Sequence, residues 1–160
     1  MKKNWIALVA SLGMATNANA GYIGDMDSPR LIPKDDTLVV SGTMGGELRG
    51  SVENFKKLRD LGKKVRIEGR CQGSCVLFLA FDNVCYTSES VFNFEAPYSL
   101  RMDTPVYDAE SAQKMLALMP PRLRDWLEGE GVMNELGRDA DRTGTQLAEL
   151  DRVDRICAEK

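Results

Sequence analysis

Apolar residues fall into short bursts whose spacing changes from one burst to the next. Residues 37–41 (TLVVS) form a branched apolar run that ends at Gly42-Thr43-Met44-Gly45-Gly46, which predicts a buried strand followed by a glycine turn. Leu48, Val52, Phe55 and Leu58 then recur at three- and four-residue steps, with Glu47, Lys56, Lys57 and Arg59 on the other face. That is an amphipathic helix, and Gly62 is placed to end it. Residues 64–68 (KVRIE) alternate polar and apolar, a second strand. Strand, glycine turn, helix and strand make a right-handed crossover unit, which lays its two strands parallel.

A second unit follows at once. It comprises a turn across 69–74, an apolar helix through 76–80, and strands at 84–87 and 91–94. Two consecutive units predict an α/β core with parallel strands. Beyond Pro97 the pattern becomes helical: 111–118 is one helix, and Pro120-Pro121 opens another with Leu123, Trp126 and Leu127 on its inner face. Residues 132–160 suggest one or two short helices, with Cys157 as a staple near the end. Residues 21–36, rich in Gly, Pro and Asp, form an irregular lead-in, and 37–160 is expected to be a single domain.

The first 20 residues change the expected compartment. Lys2 and Lys3 precede an apolar stretch from Trp5 to Met14, and Ala18-Asn19-Ala20 supplies a small-residue cleavage site, so 1–20 is a secretory signal peptide. Ser11 and Gly13 interrupt the apolar run, which is also shorter than the ~20 residues of a membrane span, and no transmembrane segment is expected once the signal is removed. The protein is therefore expected to be periplasmic or secreted. The formal net charge of −3 becomes −5 without Lys2 and Lys3, which argues against nucleic acid or an anionic membrane as partner.

All four cysteines, Cys71, Cys75, Cys85 and Cys157, lie after the signal, and an oxidising compartment favours two disulfides. Cys-x-x-x-Cys lacks zinc spacing and there is no histidine to complete a common site, so neither a metal nor a cofactor is expected. Of the three possible pairings, Cys75 with Cys85 and Cys71 with Cys157 is the expectation. The first joins neighbouring elements, and the second fastens the C-terminal segment to the core.

The chemistry concentrates where a strand meets Gly69-Arg70-Cys71-Gln72-Gly73-Ser74-Cys75. Val39-Val40-Ser41 with Gly45-Gly46, Val65-Arg66-Ile67-Glu68-Gly69, this cysteine-bounded turn, Val84-Cys85-Tyr86 and Phe92-Asn93-Phe94-Glu95-Ala96-Pro97 follow in an order that resembles the Clp-protease/crotonase superfamily. The likeness is to small exported bacterial members with a Cys-Ala-Ser-Ala-Cys-Thr type signature, and it covers about residues 37 to 157. It implies a Clp/crotonase-like ββα core with a helical C-terminal segment.

Carried over residue by residue, the family's nucleophilic serine falls on Gly73 and its catalytic histidine on Glu95. The whole chain contains no histidine. What the resemblance leaves is an oxyanion hole built from backbone N–H groups of Gly45 or Gly46 and of Ser74. Ser74 is either a shifted nucleophile or the cap of the helix that starts at Cys75, with the cap favoured. Glu95 is either a general base or a rim carboxylate, with the rim favoured.

Whether the protein is an enzyme stays open. The leading expectation is a non-proteolytic homologue, a periplasmic binding or assembly protein with an unidentified protein or peptide partner. The alternative is a serine hydrolase or peptidase using Ser74 with Glu95. Acyl-thioester chemistry without a nucleophile ranks third, because such cofactors are mainly cytoplasmic. By resemblance, a homo-oligomer is expected as well.

Overall fold

A computed structural model describes residues 32–34, 36–44, 48–151 and 155–158. The expected signal peptide, most of the lead-in and the Gly45-Gly46 pair lie outside the described residues. Within the segment expected to be irregular there is one short strand, β1 (Ile32–Lys34), antiparallel to β2 (Thr37–Met44).

Helix α1 (Leu48–Asp60) carries the predicted apolar stripe, with Phe55 buried and Leu48, Val52 and Leu58 packed at the edge of the core. It stops as its sequence requires. Gly62 takes a φ of 67°, the Gly62 N–H donates to Arg59 O at 2.8 Å, and the Lys63 N–H donates to Leu58 O at 3.0 Å. These two bonds form a Schellman closure of the last turn.

The chain then enters β3 (Lys64–Gly73), parallel to β2 as the crossover predicts. This strand runs further than its sequence suggests. Gly69 does not begin a turn; it sits in a bulge where Glu68, Gly69 and Arg70 oppose the single residue Ser41, between the pairs Val40↔Ile67 and Gly42↔Cys71. Gly42, at φ 104°, and Gly69, at φ 72°, absorb the irregular backbone, and the strand resumes through Gly73.

The bulge divides the far edge of β3 between two partners. Its first half pairs in parallel with β4 (Val84–Tyr86), and Arg70, Cys71 and Gln72 pair in parallel with β5 (Val91–Glu95). Between β3 and β4 lies a 3-10 helix (Ser74–Ala80) whose residues Cys75 to Leu79 are all buried. Phe78 of that helix stacks on Phe55 of α1 with ring centroids 3.7 Å apart. The rings of Tyr86 and Phe92 meet edge to face at 5.2 Å. This is the α/β core, mostly parallel, with its helices packed on the sheet.

Three strands depart from expectation after Pro97. Residues Tyr98–Arg101 (β6) and Thr104–Tyr107 (β7) form an antiparallel hairpin separate from the main sheet. Helices α2 (Ala109–Leu118) and α3 (Pro121–Glu130) follow as predicted, the latter with Pro at its start and Leu123 and Leu127 buried. The stretch expected to be only helical begins instead with β8 (Asp139–Thr143), antiparallel to β5, before α4 (Gly144–Asp151). The charged, unpatterned Asp139-Ala140-Asp141-Arg142-Thr143 carries no apolar alternation because β8 is an edge strand, half-solvated along its length.

The disulfides are Cys71–Cys75 and Cys85–Cys157, which corrects the expected pairing. Register explains why. Cys85 lies beside Arg66, in the first half of β3, whereas Cys71 lies beside Phe92, five residues further along the same strand, and Cys75 lies beyond the strand's end. A Cys75–Cys85 bridge would have to run back along the sheet. Cys157 instead reaches Cys85 because the tail adds to the outer edge of β4. Tyr86 and Ile156 form a parallel bridge, the Tyr86 N–H donates to Arg155 O at 3.0 Å, and the Cys157 N–H donates to Tyr86 O at 2.9 Å.

Candidate functional site

The parallel strands β3 and β5 end side by side, and the chain bends sharply after β3. At the end of β3, Gly73 adopts φ 65° and ψ −134° and caps the 3-10 helix. This is a strand-to-helix bend of the kind that strains a serine in a nucleophile elbow, and glycine takes it without a Cβ penalty. Cys71 and Cys75, both fully buried, close a disulfide across the bend with their Cα atoms 5.4 Å apart. The helix begins at Ser74 itself, so Ser74 occupies the first helical position and Gly73 is the cap, which corrects the cap role expected for Ser74. The two glycines expected to complete an oxyanion hole, Gly45 and Gly46, are outside the described residues.

At the end of β5, Glu95 is half-buried and stands directly opposite Asp139 of β8. Paired residues on neighbouring strands share a face, as do alternate residues along one strand. Gln72, Asn93, Glu95, Asp139 and Asp141 therefore lie on one face of the sheet, with Arg70 beside them. Asn93, only 1% exposed, organises this face: its amide nitrogen donates to Asp139 Oδ2 at 2.8 Å and to Asp141 Oδ1 at 2.7 Å. A buried amide costs free energy unless its donors are used, and here both go to carboxylates, the stronger class of acceptor. Arg70 faces Asp141 at 3.5 Å and donates to Gln72 Oε1 at 3.3 Å.

This polar face forms one wall of a cleft of about 590 Å³. The opposite wall is apolar, with Tyr98, Leu100 and Pro105 of the hairpin and Leu136 of the loop before β8. Glu95 opens into the cleft, whereas Ser74 is not among the described residues that line it. The structure thus places both candidate residues at the same end of the sheet but does not turn them toward one shared space. No group of three Cys, Asp or Glu side chains among the described residues is arranged to hold a metal ion.

The hairpin has an unusual surface. Tyr98 is 57% exposed, Leu100 65% and Met102 fully exposed. Its turn places two non-glycine residues, Met102 at φ 48° and Asp103 at φ 62°, in left-handed conformations that Asn-Gly or Asp-Gly normally supplies. The Asp108 N–H donates to Pro97 O at 3.0 Å, which makes residues 97 and 108 a hydrogen-bonded pair. Antiparallel alternation then turns the N–H and C=O groups of Tyr98 and Leu100 away from β7, toward the outer edge of β6.

No protein-family model matches the sequence, and no curated protein matches it. Among solved structures the chain is similar to a peptidase from Plasmodium falciparum, at 9% identity and a TM-score of 0.44, over 76% of this chain and 79% of that one. So distant a likeness assigns no residue a role.

Glu95 was visible to sequence reasoning through its place before Ala96-Pro97. Asn93, Asp139 and Arg138, which complete the cleft's polar wall, were not, because β8 meets β5 across more than 40 residues of chain and its sequence carries no strand signal. The hairpin was missed for want of a glycine in its turn.

Proposed function

We propose that this protein is a non-proteolytic binding module of the periplasm that holds an extended polypeptide segment as an added strand on β6. The observation that carries the reading is the outer edge of β6. Proteins blunt exposed sheet edges because an unpaired row of N–H and C=O groups recruits other strands. Other edges described here are blunted: β1 contains Pro33, β8 is short and charged, β4 is covered by the tail at Ile156, and β7 carries Pro105. Pro105 pairs with Leu100, a position that points outward, so it removes a donor from the outer edge of β7. β6 is also short and ends in Arg101, but among the described residues it carries no proline and no segment covers its outer edge, and its Tyr98 and Leu100 side chains border the cleft. A free edge supplies affinity through the main chain and an adjoining cleft supplies selectivity.

Three observations support the absence of proteolysis: the chain has no histidine, Gly73 holds the sharp bend, and Ser74 does not line the cleft that Glu95 enters. The resemblance to the Clp-protease/crotonase superfamily agrees, since it puts the nucleophile position on Gly73. Two disulfides and the signal-like N-terminus support an oxidising, extracytoplasmic setting.

The test is to measure the affinity of short, extended fluorescent peptides, with and without backbone N-methylation at alternate residues, and to treat the same protein with a fluorophosphonate probe. Peptides should bind, N-methylation should abolish binding, and no serine should be labelled. Labelling of Ser74 would overturn the reading in favour of a hydrolase with Ser74 as nucleophile, Glu95 as base, and the Gly45, Gly46 and Ser74 amides as oxyanion donors.

A further inference from the structure

We infer that Glu95 selects a lysine or arginine side chain in the polypeptide laid along β6. The inference rests on the strand-addition reading and adds the chemistry of the segment that is bound.

The cleft contains charges of both signs, but most of them are engaged. Arg70 is turned to Asp141, Arg138 lies 3.6 Å from Glu135, and Asp139 accepts from the Asn93 amide. The Glu95 carboxylate has no hydrogen-bond or ion-pair partner among the described residues. It also faces a like charge, because Asp139 is its direct partner across the β5–β8 ladder. Like charges directly opposite one another destabilise a strand pair. Asp141 adds a third carboxylate on the same face, held by the Asn93 amide and facing the Arg70 cation. A cation placed beside Glu95 removes this repulsion, and a half-buried site screens the attraction less than open solvent does.

The facing wall selects the neighbours of that cation. Tyr98, Leu100, Pro105 and Leu136 present apolar surface, and side chains two apart on a strand point the same way. A segment that alternates apolar, any, Lys or Arg, any, apolar sends its cation and both flanking apolar residues into the cleft together, where the cation meets the carboxylates and its neighbours border the apolar surface. Lysine and arginine also bring long apolar stems that cover such a surface while the charged head reaches past it.

The experiment uses matched short β-prone peptides with lysine, norleucine or glutamate at the centre, titrated into the protein and into Glu95→Gln. The lysine peptide should bind about fivefold more tightly than the norleucine peptide, the worth of one partly exposed ion pair. The glutamate peptide should bind more weakly than either. Glu95→Gln should erase the preference for lysine over norleucine, and added salt should narrow the difference in the native protein only. Equal affinity for all the peptides, or a lysine preference that survives Glu95→Gln, overturns the inference and leaves strand addition standing. Failure of every peptide to bind, or equal binding after N-methylation, overturns strand addition and the inference with it.

Discussion

Gly73 lies at the centre of the five-residue loop closed by the Cys71–Cys75 disulfide, at the point where β3 turns into the 3-10 helix with φ 65° and ψ −134°. The bridge and the bend act on the same few residues. The disulfide restricts the loop, and the absence of a side chain at Gly73 lets the loop turn sharply.

A serine at this position, Gly73→Ser, is expected to lower stability by about 1 to 3 kcal/mol, because a side chain there is held in a sparsely populated conformation. Urea unfolding of the variant checks this. A variant as stable as the native protein would mean the bend is not strained.

The two disulfides should differ in weight. Cys71–Cys75 spans a sequence separation of 4 and Cys85–Cys157 one of 72. Loop-closure entropy predicts a loss of about 2 kcal/mol when the first pair is replaced by alanines and about 4 kcal/mol for the second. Equal losses in urea titrations would contradict that ordering.

Two glycines give a contrast in packing. A Cβ on Gly144 would meet the Thr87 carbonyl oxygen at 2.0 Å and a Tyr86 ring carbon at 3.0 Å, whereas a Cβ on Gly50 would meet nothing within 4 Å. Gly144→Ala should therefore destabilise by about 1 to 3 kcal/mol through forced backbone movement. Gly50→Ala, inside α1, should stabilise by about 0.5 to 1 kcal/mol. Thermal unfolding of the two variants should shift the midpoint in opposite directions.

The pH dependence has one clear contributor. Asp108 caps α2 by accepting from the Ser111 N–H at 3.0 Å and from the Ser111 hydroxyl at 2.8 Å, and these bonds, the backbone one foremost, hold its carboxyl below the usual range. Because the folded-state value is depressed, the cap's contribution is complete above the ordinary carboxylate range and disappears as pH falls through the lowered value. The stability difference between the native protein and Asp108→Ala should accordingly shrink with acidification. A difference that is constant with pH would show that the charge plays no part.

Much of the core was legible because its signals are local. The stripe at Leu48, Val52, Phe55 and Leu58, the stop at Gly62, and Pro121 at a helix start each act within a turn or two of chain. What stayed hidden depends on partners distant in sequence. Gly69 reads as a turn until both neighbouring strands of β3 are known, and Asp139 to Thr143 reads as a surface stretch until β5 is placed beside it. The cysteine pairing failed for the same reason: proximity is set by strand register, which the spacing of four cysteines does not encode. Of the site, Gly73 and Glu95 were found from their place in the chain order, while the free edge of β6 rests on a turn built without glycine at Met102 and Asp103.

Strand addition on β6 is tested most directly by amide hydrogen exchange at Tyr98 and Leu100 with a saturating extended peptide. The N–H groups of both residues point away from β7 and should exchange quickly in the free protein. On binding, both should slow markedly, while those of Ser99 and Arg101, already directed at β7, should change little. Tyr98 and Leu100 amides that exchange as fast in the bound protein as in the free one would contradict the account.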